Sequence, residues 1–189
     1  ATLVPVDVDM QGRMRPDVLR IRLHETTGPT IVCAQAGHIN TGAIDPLADI
    51  CDIAHEVGAW VHVDGAFGLW AAATPKLRPL LDGVDRADSW ATDAHKWLNV
   101  PHDCGLVLCA HPDAHRAAMS LHADYLPPGG DEQRDAMDFN PELSRRARGI
   151  PVYAAIRALG HAGIAEIIER CCAMARHFAN RLATDDNVE

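Results

Sequence analysis

The chain has 189 residues, 48% of them hydrophobic and 23% charged, which is enough apolar content for one substantial core and excludes a chain disordered by composition. Its formal net charge of −9, with no basic stripe, argues against a hold on nucleic acid or an anionic membrane, since phosphate binding needs clustered lysine and arginine. No run is long enough to span a bilayer, and Ala1 to Asp7 lack the layout of a signal peptide, so a cytoplasmic protein without a membrane partner is expected. The six cysteines, Cys33, Cys51, Cys104, Cys109, Cys171 and Cys172, sit in apolar segments without disulfide or zinc spacing and read as buried free thiols. With no initial methionine, a strand-like start and an end just past a helical pattern, the chain reads as a fragment of a longer protein.

Taken in chain order, Thr30 to Ala34 is a continuous apolar run, as in a strand covered on both faces. Asp45 as N-cap and Pro46 at the first helical position predict a helix whose stripe is Leu47, Ile50, Ile53, Ala54 and Val57, stopped by Gly58. Ala59 to Val63 follows as a strand, then a weaker helix or turn over Pro75 to Leu81, and strands over Ala87 to Thr92 and Gly105 to Cys109. This alternation predicts a layered, mostly parallel α/β sheet with a ligand crevice at its strand ends. The breaker-rich stretch from Pro127 to Asp135 predicts a mobile loop over about 120–140. Beyond it, Val152, Ala155, Ile156 and Leu159 form one helical face before Gly160, and Ile164, Ile167, Ile168, Cys171, Ala175, Phe178 and Leu182 form a longer one.

Two segments carry chemistry. Trp60 to Gly68 is an apolar strand that ends in Asp64 and then small residues, and Asp93-Ala94-His95-Lys96 follows the next buried-looking run. A lysine to form a Schiff base and a carboxylate to pair with a pyridinium nitrogen are what a pyridoxal phosphate site requires, and Lys96 and Asp64 supply them. The intervening segment has room for a helix and a second strand, so both residues are expected at one sheet edge. Read singly, each has an ordinary alternative: a lysine after a strand is usually solvated, and a strand-end aspartate can be a turn residue or a helix cap.

Other constellations are weaker. His111 and His115 have the i, i+4 spacing of a zinc pair but lack the adjacent glutamate of metalloproteases, and His62-Val63-Asp64 lacks further ligands at useful spacing, so no metal site is expected. Arg145, Arg146 and Arg148 suit either a carboxylate ligand or a charge cluster at a helix start that ties layers together.

The ordered series Val61-His62-Val63-Asp64-Gly65-Ala66-Phe67-Gly68, Ala87-Asp88-Ser89, Asp93 to Gly105 and Ser144-Arg145-Arg146-Ala147-Arg148-Gly149 resembles the group II pyridoxal-phosphate-dependent amino acid decarboxylases, relatives of the glutamate, aromatic amino acid and diaminobutyrate enzymes. The resemblance implies an aspartate aminotransferase-like fold (fold type I) and a homodimer acting on an amino acid. Residues 1–150 would be the later part of the cofactor-binding large domain, and 151–189 helices leading toward a small C-terminal domain. It implies Lys96 as the Schiff-base lysine, Asp64 as partner of the ring nitrogen, Ala66 against one ring face, His95 beside cofactor and substrate, and Asp93 on the phosphate side. Many relatives have asparagine at the Asp93 position. Asn40 and Thr41 resemble a loop that reaches the cofactor. Tyr125 matches the mobile-loop tyrosine that protonates the carbon after carbon dioxide leaves, with His95 the second choice of acid; relatives that make aldehydes often carry phenylalanine there. His102 stands where relatives are often aromatic.

The resemblance also places the phosphate-cradling helix start and a ring-stacking aromatic upstream of Ala1, so the isolated piece is expected to be inactive. With tyrosine at position 125, the resemblance implies simple decarboxylation as the activity of the whole protein. An aldehyde synthase or other carbon–carbon lyase on the same fold, and a non-catalytic paralogue, are the alternatives.

Overall fold

The computed structural model describes residues 1–120 and 135–184. A four-stranded sheet forms its centre, in the order β1 (Ile31–Gln35), β2 (Trp60–Asp64), β3 (Ser89–Asp93), β4 (Gly105–Cys109). The first three strands are parallel, with Ile31 opposite Trp60 and Asp64 opposite Ala91, and β4 returns antiparallel with Gly105 opposite Asp93. Parallel neighbours need crossovers, and these put the ends of β2 and β3 on one edge.

The first crossover is α2 (Leu47–Glu56), which buries Leu47, Ile50, Cys51, Ile53 and Ala54 against the sheet. Each large aliphatic buried there contributes about 1.5–3 kcal/mol. Gly58 ends the helix in the left-handed region, φ 70°, where a Cβ would be strained. The expected Asp45 cap is not made. Pro46 takes the N-cap position, and the Asp45 carboxylate instead accepts from the Met14 N–H at 2.7 Å and the Gln35 N–H at 2.7 Å, joining the N-terminal segment to the end of β1. Burial pushes its pKa up against those two donors.

The second crossover contains no α-helix. Three 3₁₀ turns, Gly68–Ala73, Arg78–Leu81 and Val84–Arg86, connect β2 to β3, because Pro75, Pro79 and Gly83 interrupt every stretch long enough to nucleate one. The turn after β2 lies tightly on the loop after β1: the Gly68 N–H donates to the Ala36 carbonyl at 2.9 Å, and a Cβ on Gly68 would sit 2.5 Å from that oxygen. Gly68→Ala should therefore cost about 1–3 kcal/mol, read as a lower denaturation midpoint at unchanged slope; an unchanged midpoint would contradict this packing.

One helix comes without a prediction from the sequence: α1 (Pro16–Glu25), which buries Leu19 and Leu23 beside α2. The helical spacing of His111 and His115 falls at the start of α3 (Pro112–Met119), which follows β4. Its low apolar content hides α1 from a periodicity reading. The strand-like start is not a strand; only an isolated bridge, Val8 to Met14, forms there. Nor is β1 covered on both faces: Val32 and Ala34 are buried, while Ile31 and Cys33 are exposed. Of the six cysteines only Cys51 and Cys104 are buried. The greater part of the loop expected over 120–140 lies outside the described residues; its end, Ala136–Phe139, is a 3₁₀ turn held on α3 by Arg116 to Asp138 at 3.2 Å and a Phe139–His115 ring contact.

α4 (Gly149–Leu182) joins both predicted apolar faces across a break at Gly160, φ 60° and ψ −176°. Val152, with Ala155, Leu159 and Ile164 beside it, packs on Ala94, Leu98, Val100 and Cys104, the frame of the Lys96 turn. Ile168 is buried, and Glu169 accepts from Thr74 Oγ1 at 2.8 Å and pairs with Lys76. From Cys171 onward the expected face is exposed at Ala175, Phe178 and Leu182 because nothing among the described residues covers it. No described helix is long and apolar enough to cross a membrane.

Candidate active site

Asp64 is the last residue of β2, and its Oδ1 accepts the Ala66 N–H at 3.0 Å, which fixes the carboxylate at the strand end. Gly65 bridges to β3: its N–H donates to the Ala91 carbonyl at 2.8 Å, and its own carbonyl accepts from Thr92 Oγ1 at 2.9 Å. These bonds hold the β2 turn against the end of β3, where Asp93 and the Lys96 turn begin. A side chain on Gly65 would strike Leu69.

The Lys96 turn closes because Ala94, Leu98 and Val100 are buried, while His95, Lys96 and Trp97 between them are half-buried and Asn99 is exposed. The Val100 N–H returns to the Ala94 carbonyl at 3.3 Å, and Asn99 takes the left-handed conformation, φ 57°, that asparagine tolerates. Lys96 Nζ lies 2.8 Å from Asp93 Oδ2 and 3.9 Å from the centroid of the Phe67 ring, so the amine sits between a carboxylate of β3 and an aromatic face of the β2 turn. The chain has two lysines, and the other, Lys76, is tied to Glu169 on α4. Lys96 is thus the one that stands at this sheet edge.

His95 points its Nε2 toward Asp93 Oδ2, 4.0 Å away, and its Nδ1 lies 3.0 Å from both the N–H and the carbonyl of Cys104. The His102 ring meets His95 edge-on, with centroids 4.6 Å apart, which brings the position singled out in the sequence into contact with the predicted site. Trp70 Nε1 donates to the Asp93 carbonyl at 3.1 Å and anchors the strand end.

Asn40 and Thr41 lie in the turn after β1. Thr41 Oγ1 donates to the Gln11 carbonyl at 2.7 Å and the Asn40 N–H to His38 Nδ1 at 3.3 Å, so their bonds run to the N-terminal turn and to their own loop. That loop meets the Asp64 turn through Gly37 and Gly68. Tyr125 lies outside the described residues.

The remaining candidates have structural work. Arg146 and Arg148 both bind Asp103, Arg148 through 3.1 and 3.2 Å bonds, and Arg145 donates to the Glu142 carbonyl, so the arginines tie the start of α4 to the segment after Lys96. The Arg148 guanidinium holds the Asp103 carboxyl below its usual range. His111 and His115 do not converge: His111 binds Asp88 Oδ1 at 2.8 Å and His115 meets Phe139. His62 is held by Ser89 Oγ at 2.8 Å. Among the described residues no cluster of three or more histidine, cysteine or acidic side chains is arranged to hold a metal.

Sequence reasoning missed three parts. Phe67 lies inside the quoted motif, but nothing in its spacing signals a contact with the lysine. The Cys104 main chain that grips His95 is invisible at the level of residue type. Asp88 is a hub, accepting from Val61 N–H at 2.7 Å, His55 Nε2 at 3.1 Å and His111; burial pushes its pKa up, and these partners together outweigh that and leave it lowered.

The residues present fit a pyridoxal phosphate group on chemical grounds. A primary amine and a carboxylate stand at the carboxyl ends of adjacent parallel strands, and the small Ala66 follows Asp64. Comparison with known proteins agrees. The family model described as pyridoxal-dependent decarboxylase conserved domain matches residues 2–189. The 4-hydroxyphenylacetaldehyde synthase of Rhodiola rosea is 36% identical over 92% of this chain and 35% of its own length. Tyrosine/DOPA decarboxylase 5 of Papaver somniferum is 32% identical over 85% of this chain and 31% of its own. The crystal structure of Oryza sativa TDC with PLP and tryptamine superposes with a TM-score of 0.86 at 30% identity, over 93% of this chain and 37% of that one. The chain spans about a third of the length of the curated relatives it matches. A fold type I sheet edge bearing the lysine and the carboxylate, matched almost end to end by the family model, places the chain in the pyridoxal-dependent decarboxylase family.

Proposed function

We propose that this chain carries the attachment and charge-holding residues of an enzyme that removes carbon dioxide from an L-amino acid and leaves the amine, using pyridoxal 5′-phosphate. The observation that carries the reading is the Lys96 amine held between Asp93 and Phe67, beside the strand end that presents Asp64. When bound, the cofactor supplies an electron sink for the pair left behind as carbon dioxide departs.

Each residue then has a task. Lys96 anchors the cofactor and yields it to the substrate amine. Asp64 holds a proton on the ring nitrogen, since a carboxylate in contact with a cation favours the charged form. Ala66 leaves room for a flat ring and excludes water from one face. Tyr125 delivers the proton to the former α-carbon, with His95 the alternative acid. In this reading Asn40 and Thr41 approach the cofactor from the loop after β1, and the enzyme is a cytoplasmic homodimer whose remaining cofactor contacts come from outside this chain.

A second reading, aldehyde formation, is favoured by the similarity to the Rhodiola rosea synthase. Product analysis on the intact protein separates the two. With tyrosine, dihydroxyphenylalanine, tryptophan, glutamate and diaminobutyrate offered in turn, amine and carbon dioxide in equal amounts are expected from one of them, without aldehyde. Tyr125→Phe should slow amine formation on the order of 10²-fold and raise the aldehyde share. Aldehyde as the main wild-type product would select the second reading.

A further inference from the structure

We propose that Asp93 is the base that frees the Lys96 amine and that it hands the proton to Nε2 of His95. The inference rests on the reading above, in which Lys96 forms the cofactor linkage. An ammonium cannot attack a carbonyl, so Lys96 must lose a proton first.

Asp93 Oδ2 is 2.8 Å from Lys96 Nζ and 4.0 Å from His95 Nε2, so one oxygen atom stands between donor and final acceptor. The Asp93 main chain is fixed by Trp70 and by its pairing with Gly105, which confines movement to the carboxylate. His95 is suited to receive the proton. Its Nδ1 lies 3.0 Å from both the carbonyl and the N–H of Cys104, and in the proposed step the neutral ring is the tautomer protonated at Nδ1, which donates to that carbonyl and leaves the Nε2 lone pair toward Asp93. The same carbonyl continues to accept when the ring becomes a cation.

In the step, a Lys96 Nζ–H bond breaks and its electron pair stays on nitrogen. The proton passes to Asp93 Oδ2 and then to His95 Nε2, so the carboxylate is restored, the imidazole becomes imidazolium and the amine is neutral. The Lys96 and Asp93 side chains are 29% and 24% exposed, and the His95 side chain, at 18%, is the less exposed acceptor beside them. His102 is the other titratable ring against His95.

The test uses the intact protein and acetic anhydride, a neutral probe that needs no cofactor, with the rate of Lys96 acetylation read by peptide mass spectrometry. Asp93→Asn is expected to slow acetylation at least about tenfold, His95→Gln to slow it also, and the double variant to be no slower than the slower single one. Faster or unchanged acetylation of Asp93→Asn would mean that Asp93 is a counter-ion only, and would overturn the proposal. Nitrogen NMR of the wild type checks the same claim without a variant in the step: the His95 Nε2 signal, assigned by its loss in His95→Gln, should move to the imidazolium range on adding pyridoxal phosphate. A ring that stays neutral would also overturn it. Absence of any borohydride-stable adduct on wild-type Lys96 would instead overturn the proposed function, whereas an adduct together with unslowed acetylation of Asp93→Asn overturns only the proton route.

Discussion

Lys96→Ala is expected to abolish turnover, with amine release falling on the order of 10³-fold or more, because the proposed function then loses its covalent attachment point. Lys76, the other lysine of the chain, is engaged by Glu169 on α4 and belongs to the contact between that helix and the crossover. The variant should keep its fold. The turn around Lys96 is held by Ala94, Leu98 and Val100 and by the Val100-to-Ala94 hydrogen bond, none of which uses the amine. Asp93 loses its cation in the variant but remains part-exposed and near His95, so the cost to stability is small. Release of carbon dioxide by Lys96→Ala within a few-fold of the wild-type rate would remove Lys96 from the chemistry.

Asp64→Asn should lower turnover by about 10²–10³-fold with the fold intact. The amide oxygen can still accept the Ala66 N–H that Asp64 Oδ1 accepts, so the turn after β2 survives and the charge alone is removed. Without that charge the ring nitrogen of the bound cofactor is no longer held protonated, and the electron sink weakens while the lysine linkage still forms. The expected signature is thus a split: adduct formation near wild type, turnover strongly reduced. Asp64→Asn with wild-type turnover would show that the carboxylate serves the turn and not the cofactor.

The legible parts of the chain were those where the physics is local. Val61 and Val63 alternate with polar positions, Leu47, Ile50, Ile53 and Ala54 share one helical face, and Gly58 and Gly160 mark breaks in the backbone, so β2, α2 and the two arms of α4 could be read directly. The placement of Asp64 and Lys96 was legible for the same reason: Asp64 ends β2, Lys96 comes just after β3, and parallel strands share an edge. What was not legible depends on partners distant in sequence. Asp45 looks like a helix cap until Met14 and Gln35 present their N–H groups to it. The arginines 146 and 148 leave two readings open, a carboxylate site or a tie at a helix start, until Asp103 is found between them. The stripe ending in Phe178 and Leu182 reads as core, but what would bury it is not among the described residues. The Phe67 contact and the grip of Cys104 on His95 arise from the turn geometry and carry no pattern of their own.

Mapping the attachment point in the wild type tests the central claim most directly. The intact protein, incubated with pyridoxal 5′-phosphate, reduced with borohydride, digested and analysed by mass spectrometry, should carry the reduced cofactor on the peptide containing Lys96 in near-stoichiometric amount. Label on Lys76 or elsewhere, or no label at all, would contradict the assignment of this sheet edge as the cofactor site.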